Sequence, residues 1–132
     1  MILHKSPNAQ VEWLEKEKVV LKRFSEFIYG DELHSAFNAG YEQLRKSNGN
    51  KWLSDNRGLP VYKQEDIDWI NNDWFPKTLK AGWKYWALIE PESAIGLMVM
   101  RKFVFYTERG IVLQVFKNTE ESLAWLNSFP NP

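Results

Sequence analysis

Lys84-Tyr85-Trp86-Ala87-Leu88-Ile89 and Ile111-Val112-Leu113-Gln114-Val115-Phe116 are two apolar runs whose relation to each other decides the fold. The first is almost unbroken by polar residues, the composition of a strand covered on both faces in the middle of a sheet. The connection between the runs admits two readings. Phe103-Val104-Phe105-Tyr106 has strand composition, and Thr107-Glu108-Arg109-Gly110 has that of a hairpin turn, which would make the last strands antiparallel. Alternatively, Ser93 to Arg109 is a crossover helix joining two parallel strands. A parallel pair needs a long connection of this kind, so the helix is the simpler join and is the reading adopted.

Working outward, Asn118-Thr119-Glu120-Glu121 pairs a capping residue with Glu three places on, the opening of a final helix carrying Leu123, Trp125 and Leu126 and ended by Phe129-Pro130. Upstream, Gln64 to about Lys80 reads as a helix with Ile67, Ile70 and Trp74 on one face, which Pro76 should end or kink. Leu33, Ala36, Phe37, Gly40, Tyr41 and Leu44 recur at helical spacing between Asp31 and Ser47. Asp31 can cap that helix, and Ser47-Asn48-Gly49-Asn50 can stop it. Lys51 to Ser54 is a short strand. Ile2 to Lys5, Gln10 to Leu14 and Val19 to Phe24 are strands that open the chain as a hairpin. The fold class is therefore α/β: a single mixed sheet beginning with an N-terminal hairpin, then alternating helices and mostly parallel strands.

No linker, repeat or low-complexity tract divides the 132 residues, so one domain spanning 1–132 is expected. Basic and acidic side chains balance at seventeen each, which leaves no overall field to gather nucleic acid. The absence of cysteine excludes disulfides, zinc thiolates and thiol nucleophiles, and it suits a cytoplasmic protein. No run approaches the roughly 18 apolar residues of a membrane span. Tryptophan is abundant, with seven residues at 13, 52, 69, 74, 83, 86 and 125, marking either a thick core boundary or a contact surface.

The order of elements, together with Gln114-Val115-Phe116-Lys117-Asn118-Thr119-Glu120-Glu121-Ser122-Leu123-Ala124-Trp125-Leu126, resembles the STAS-like family of small bacterial domains related to anti-sigma-factor antagonists. In that family the last strand ends in Phe and is followed by a helix of acidic residues, a small residue, Ala, Trp and Leu. In the antagonists, the loop after the central strand reads Asp-Ser-Ser-Gly-Leu, and its first serine is the phosphorylated switch. Asp55-Asn56-Arg57-Gly58-Leu59 keeps the Asp, Gly and Leu and has neither serine, while Ser54 stands before Asp55. The resemblance thus implies a partner-binding loop formed by Ser54, Asp55, Asn56, Arg57 and Gly58 that lacks the serine phospho-switch.

Catalytic and cofactor signatures are sparse. His4 and His34 have no nucleophile at motif spacing, and no metal motif or phosphate cradle is present, so no catalytic residue, metal or cofactor is expected. Asp66, Asp68 and Asp73 read as the acidic, solvated start of a helix. Ser93 to Arg109 is nearly apolar all round, and such a helix must be covered. Its candidate face of Leu97, Met98, Met100 and Phe105 suits a second copy of the chain in a homodimer, or a pocket for an apolar, lipid-like small molecule. The leading expectation is a non-enzymatic protein-interaction or regulatory module with an unidentified protein partner. The alternative is a carrier or sensor of an apolar ligand.

Overall fold

The computed structural model describes residues 1–25, 27–58, 62–91 and 109–132. Its chain order is β1 (Ile2–Ser6), β2 (Ala9–Leu14), β3 (Val19–Phe24), α1 (Gly30–Ser47), β4 (Lys51–Asp55), α2 (Gln64–Trp69), a π-helical turn (Ile70–Trp74), α3 (Phe75–Lys80), β5 (Tyr85–Ile89), β6 (Val112–Phe116) and α4 (Thr119–Asn127). Among the described residues the strands form one six-stranded sheet in the order β1-β2-β3-β4-β5-β6. β1, β2 and β3 pair antiparallel, and β3, β4, β5 and β6 pair parallel.

The apolar runs Lys84 to Ile89 and Ile111 to Phe116 therefore lie side by side in the same direction, with Tyr85 opposite Val112 and Ile89 opposite Phe116. The expected helix over 93–109, Arg109 excepted, and its candidate face of Leu97, Met98, Met100 and Phe105 lie outside the described residues.

Alternation along the strands sorts side chains onto two faces. One face carries Val11, Trp13, Val20, Phe24, Trp52, Trp86 and Leu88 and packs against α1 and the α2–α3 segment through Leu33, Phe37, Leu44, Trp74 and Phe75. The other carries Val19, Leu21, Leu53, Ala87 and Ile89, covered by Leu126 with Leu123 and Trp125 of α4. Tryptophan supplies much of the first face: Trp52, Trp74, Trp83 and Trp86 meet one another ring to ring, with centroids 5.0 Å apart for Trp52 and Trp74 and 5.1 Å for Trp83 and Trp86. These indoles are core, buried to 7% exposure or less.

Local signals account for most boundaries. Asn118 Oδ1 accepts from Glu121 N at 2.8 Å and caps α4. Asn48 takes φ 56° and stops α1. The start of α1 differs from the expectation, because Asp31 lies within the first turn and Asp66 of α2 reaches across to accept from Gly30 N at 3.1 Å. Pro76 neither ends nor breaks its helical segment, which runs on to Lys80. Just before it, the backbone widens into the π turn, where Phe75 N donates to Ile70 O, five residues back. That widening moves the proline ring away from the carbonyl it would meet in an α-helix.

Candidate functional site

Open α/β sheets present ligands and partners beyond the carboxyl ends of their parallel strands. At that edge β4 ends in Asp55, whose side chain lies on the α4 face of the sheet. Arg57 closes over it: Nε donates to Oδ1 at 2.9 Å, Nη2 to Oδ2 at 2.7 Å, and the backbone N to Oδ1 at 3.2 Å. Arg23 adds Nε to Oδ2 at 3.4 Å and continues to Glu12 through Nη1 at 3.1 Å. Arg57 Nη2 also donates to Thr119 Oγ1 at 3.5 Å, which ties the loop to the start of α4. Burial works to raise the Asp55 pKa. The hydrogen bonds from Arg57, reinforced by the charges of Arg57 and Arg23, outweigh that and hold the carboxyl below its ordinary range.

Within the predicted loop, residues divide between core and surface. Ser54 is 2% exposed and faces the tryptophan layer, where its Oγ accepts from Trp52 Nε1 at 3.0 Å and from Trp86 Nε1 at 3.1 Å. Asn56 extends the ladder, donating its backbone N–H to Ile89 O at 3.2 Å, and its buried Oδ1 has no hydrogen-bond partner. Arg57 and Gly58 are exposed. A Cβ on Gly58 would lie 3.4 Å from Phe24 O, so this loop sits against the end of β3. There the chain exposes Phe27 at 70% and Tyr29 at 55%, and Lys63 Nζ stands 4.1 Å from the Tyr29 ring centre. An open depression of about 310 Å³ adjoins this edge, lined by Lys5, Ser6, Pro7, Ala9, Gln10, Arg23, Phe24 and Ser25.

On the opposite face lies a buried cation that no sequence motif marks. Lys22 is 3% exposed, and its Nζ donates to Tyr62 Oη at 3.1 Å while standing 4.3 Å from the Phe24 ring centre and 4.9 Å from that of Phe37. Burial pushes the Lys22 pKa down to about 7, against the opposing charge of Asp55. Burial, with the nearby charge of Asp66, pushes the Tyr62 phenol up. Strand alternation gives the signal: in Val19-Val20-Leu21-Lys22-Arg23-Phe24, Lys22 shares its parity with the apolar Val20 and Phe24.

The remaining candidates are drawn into local structure. His34 Nε2 bonds Asp66 Oδ1 at 3.2 Å and its ring stacks on Trp69 with centroids 3.9 Å apart. His4 Nε2 bonds Ser6 Oγ at 3.0 Å. Asp66 is buried at 4% exposure, whereas Asp68 accepts from Gln64 at an exposed position. Among the described residues no three His, Asp or Glu side chains gather as a metal would require, and no helix is long and apolar enough to cross a membrane. No family model, curated protein or solved structure matches the chain.

Proposed function

We propose that this chain is a non-enzymatic protein-interaction module of STAS-like fold, without the serine phospho-switch, that engages a protein partner at the carboxyl edge of β3 and β4. The observation that carries the proposal is the pairing of exposed Phe27 and Tyr29 with a loop held in one shape by the Asp55–Arg57 contacts. Rigid polar loops flanked by large exposed aromatics are what protein interfaces use as anchors: the rings supply buried area on binding, and the ordered loop loses little entropy. The STAS-like reading is supported by the mixed sheet with its antiparallel beginning and by the capped terminal helix. The non-enzymatic reading is supported by the occupation of His4, His34 and Ser54 in hydrogen bonds of the fold itself. A cytoplasmic setting fits the cysteine-free sequence.

The test uses the full chain as bait in a bacterial lysate, comparing the wild type with Phe27→Ser/Tyr29→Ser and with Arg57→Ala. The expected result is one protein retained by the wild type and lost from the aromatic double variant, with unchanged far-UV circular dichroism in both. Equal recovery of that protein by all the chains would defeat the proposal.

A further inference from the structure

Every backbone group along a sheet edge is an offer of a hydrogen bond, and proteins guard such edges with charge, proline or a bulge. β1, at one end of this sheet, has both kinds of protection, a bulge between Ile2 and His4 and a lysine at position 5. Among the described residues β6 is the other end of the sheet; it reads Val-Leu-Gln-Val-Phe and pairs in unbroken register with β5. It carries no charge, proline or bulge. Val112 and Val115, which point to opposite faces of the sheet, are 39% and 42% exposed.

The ladder with β5 fixes which groups of β6 face outward. Val112 N donates to Lys84 O, and Phe116 O accepts from Glu90 N. In a parallel pair every second residue turns both its N–H and its C=O to the same neighbour, so Val112, Gln114 and Phe116 serve β5. Leu113 and Val115 then direct their backbone groups away from the sheet.

We infer that β6 pairs with β6 of a second copy of this chain, antiparallel about a two-fold axis through Gln114, to make one continuous sheet across the dimer. Hydrogen-bond and charge complementarity select this occupant. In that register Leu113 faces Val115 of the other copy and each can exchange both backbone bonds. Val112 meets Phe116, and Gln114 meets Gln114 in the close, non-hydrogen-bonded position where the two amides can bond each other. Apolar side chains oppose apolar ones on both faces. Shifting the axis by one residue to Leu113 sets Gln114 against Val112 and loses the match. A charged strand would gain nothing from this edge, whereas the edge itself is the self-complementary partner that a two-fold interface requires. With a strand of 5 residues the contact falls below the roughly 1,200–2,000 Å² of a standard interface, so the association is of micromolar strength or weaker.

Sedimentation velocity across a micromolar-to-millimolar series reads the proposal directly. The wild type is expected to shift from monomer to dimer, with hydrogen exchange slowing at the Leu113 and Val115 amides as dimer forms and staying constant at Val112, Gln114 and Phe116. Val115→Lys, and separately Val112→Lys on the opposite face, should weaken the dimer by roughly tenfold or more while leaving the circular dichroism spectrum intact. Two variants on different faces keep the test open if one of them fails to fold. A wild type that stays monomeric throughout overturns the inference, and so does a dimer that survives both lysines.

Discussion

Lys22 shows how far one side chain can couple the fold to pH. Its ammonium lies among the Phe24, Phe37 and Tyr62 rings with a single hydrogen bond to the Tyr62 hydroxyl, so the folded chain holds the proton less tightly than the unfolded chain does. Between about pH 7, where the folded lysine releases its proton, and 10.5, where the unfolded one does, the unfolded state binds more protons. Stability therefore rises with pH through that window, by up to about 1.4 kcal/mol per unit. In Lys22→Met that contribution is gone. Urea unfolding at pH 7 and pH 9 should show the wild type gaining about 2 kcal/mol on the variant over the interval, although the variant leaves the Tyr62 hydroxyl without its partner at both. Parallel stability profiles would show that the ammonium is as well solvated in the fold as outside it. The parity of Lys22 along β3 is readable from the sequence. Its partner Tyr62 is not, because 40 residues and a complete β–α–β crossover separate them.

At the level of elements, α1 approaches the sheet closely because one of its positions has no side chain. A Cβ on Gly40 would fall 2.3 Å from Cη2 and 2.5 Å from Cζ3 of Trp52. Trp52 is fully buried, and Phe37, Trp74 and Trp83 pack against it, so the indole has nowhere to retreat. Gly40→Ala gains about 1 kcal/mol of helix propensity, yet overpacking of a tight core costs about 1–3 kcal/mol. The expected outcome is a net loss, read as a lower thermal midpoint by several degrees; a rise in the midpoint would mean that α1 can lift from the sheet without cost. The spacing of Leu33, Phe37, Gly40 and Leu44 makes this helix legible, as the Asn118 cap and the Asn48 stop make their boundaries legible, because those signals act within a few residues. The cap of α1 by Asp66 is a contact between elements distant in sequence. The π turn before Pro76 is a choice of hydrogen-bond register that composition does not record. For the same reason the candidate loop could be placed from the sequence, but not the inward turn of Ser54, which depends on Trp52 and Trp86 both reaching it.

Across the described part of the molecule, each strand lies beside the next one in sequence, so alternation and helical spacing make the architecture legible, and the two clusters of described residues on its faces differ in size. On the wider face, α1 and the α2–α3 segment cover the tryptophan layer with large rings and few polar interruptions. On the other, the nine residues of α4 cover a smaller patch of Val19, Leu21, Leu53, Ala87 and Ile89. Below α4 the chain is fastened by buried Lys51, whose Nζ donates to Phe129 O at 2.7 Å and to Asn131 Oδ1 at 2.8 Å, and by Phe129 stacked on Tyr85. Local opening follows the least buried apolar area, and among the described elements α4 with the half-exposed strand β6 has the least. Native-state hydrogen exchange at low protein concentration, where β6 stands alone, should therefore find the amides of α4 opening at lower free energy than those of α1 and β4. Lys51→Met removes the tether to the terminal segment and should lower the α4 opening energy further while leaving α1 nearly unchanged. Equal protection of α1 and α4 would mean instead that the small cluster and the large one open only together, and that the tail at Lys51 holds the second face as firmly as the tryptophans hold the first.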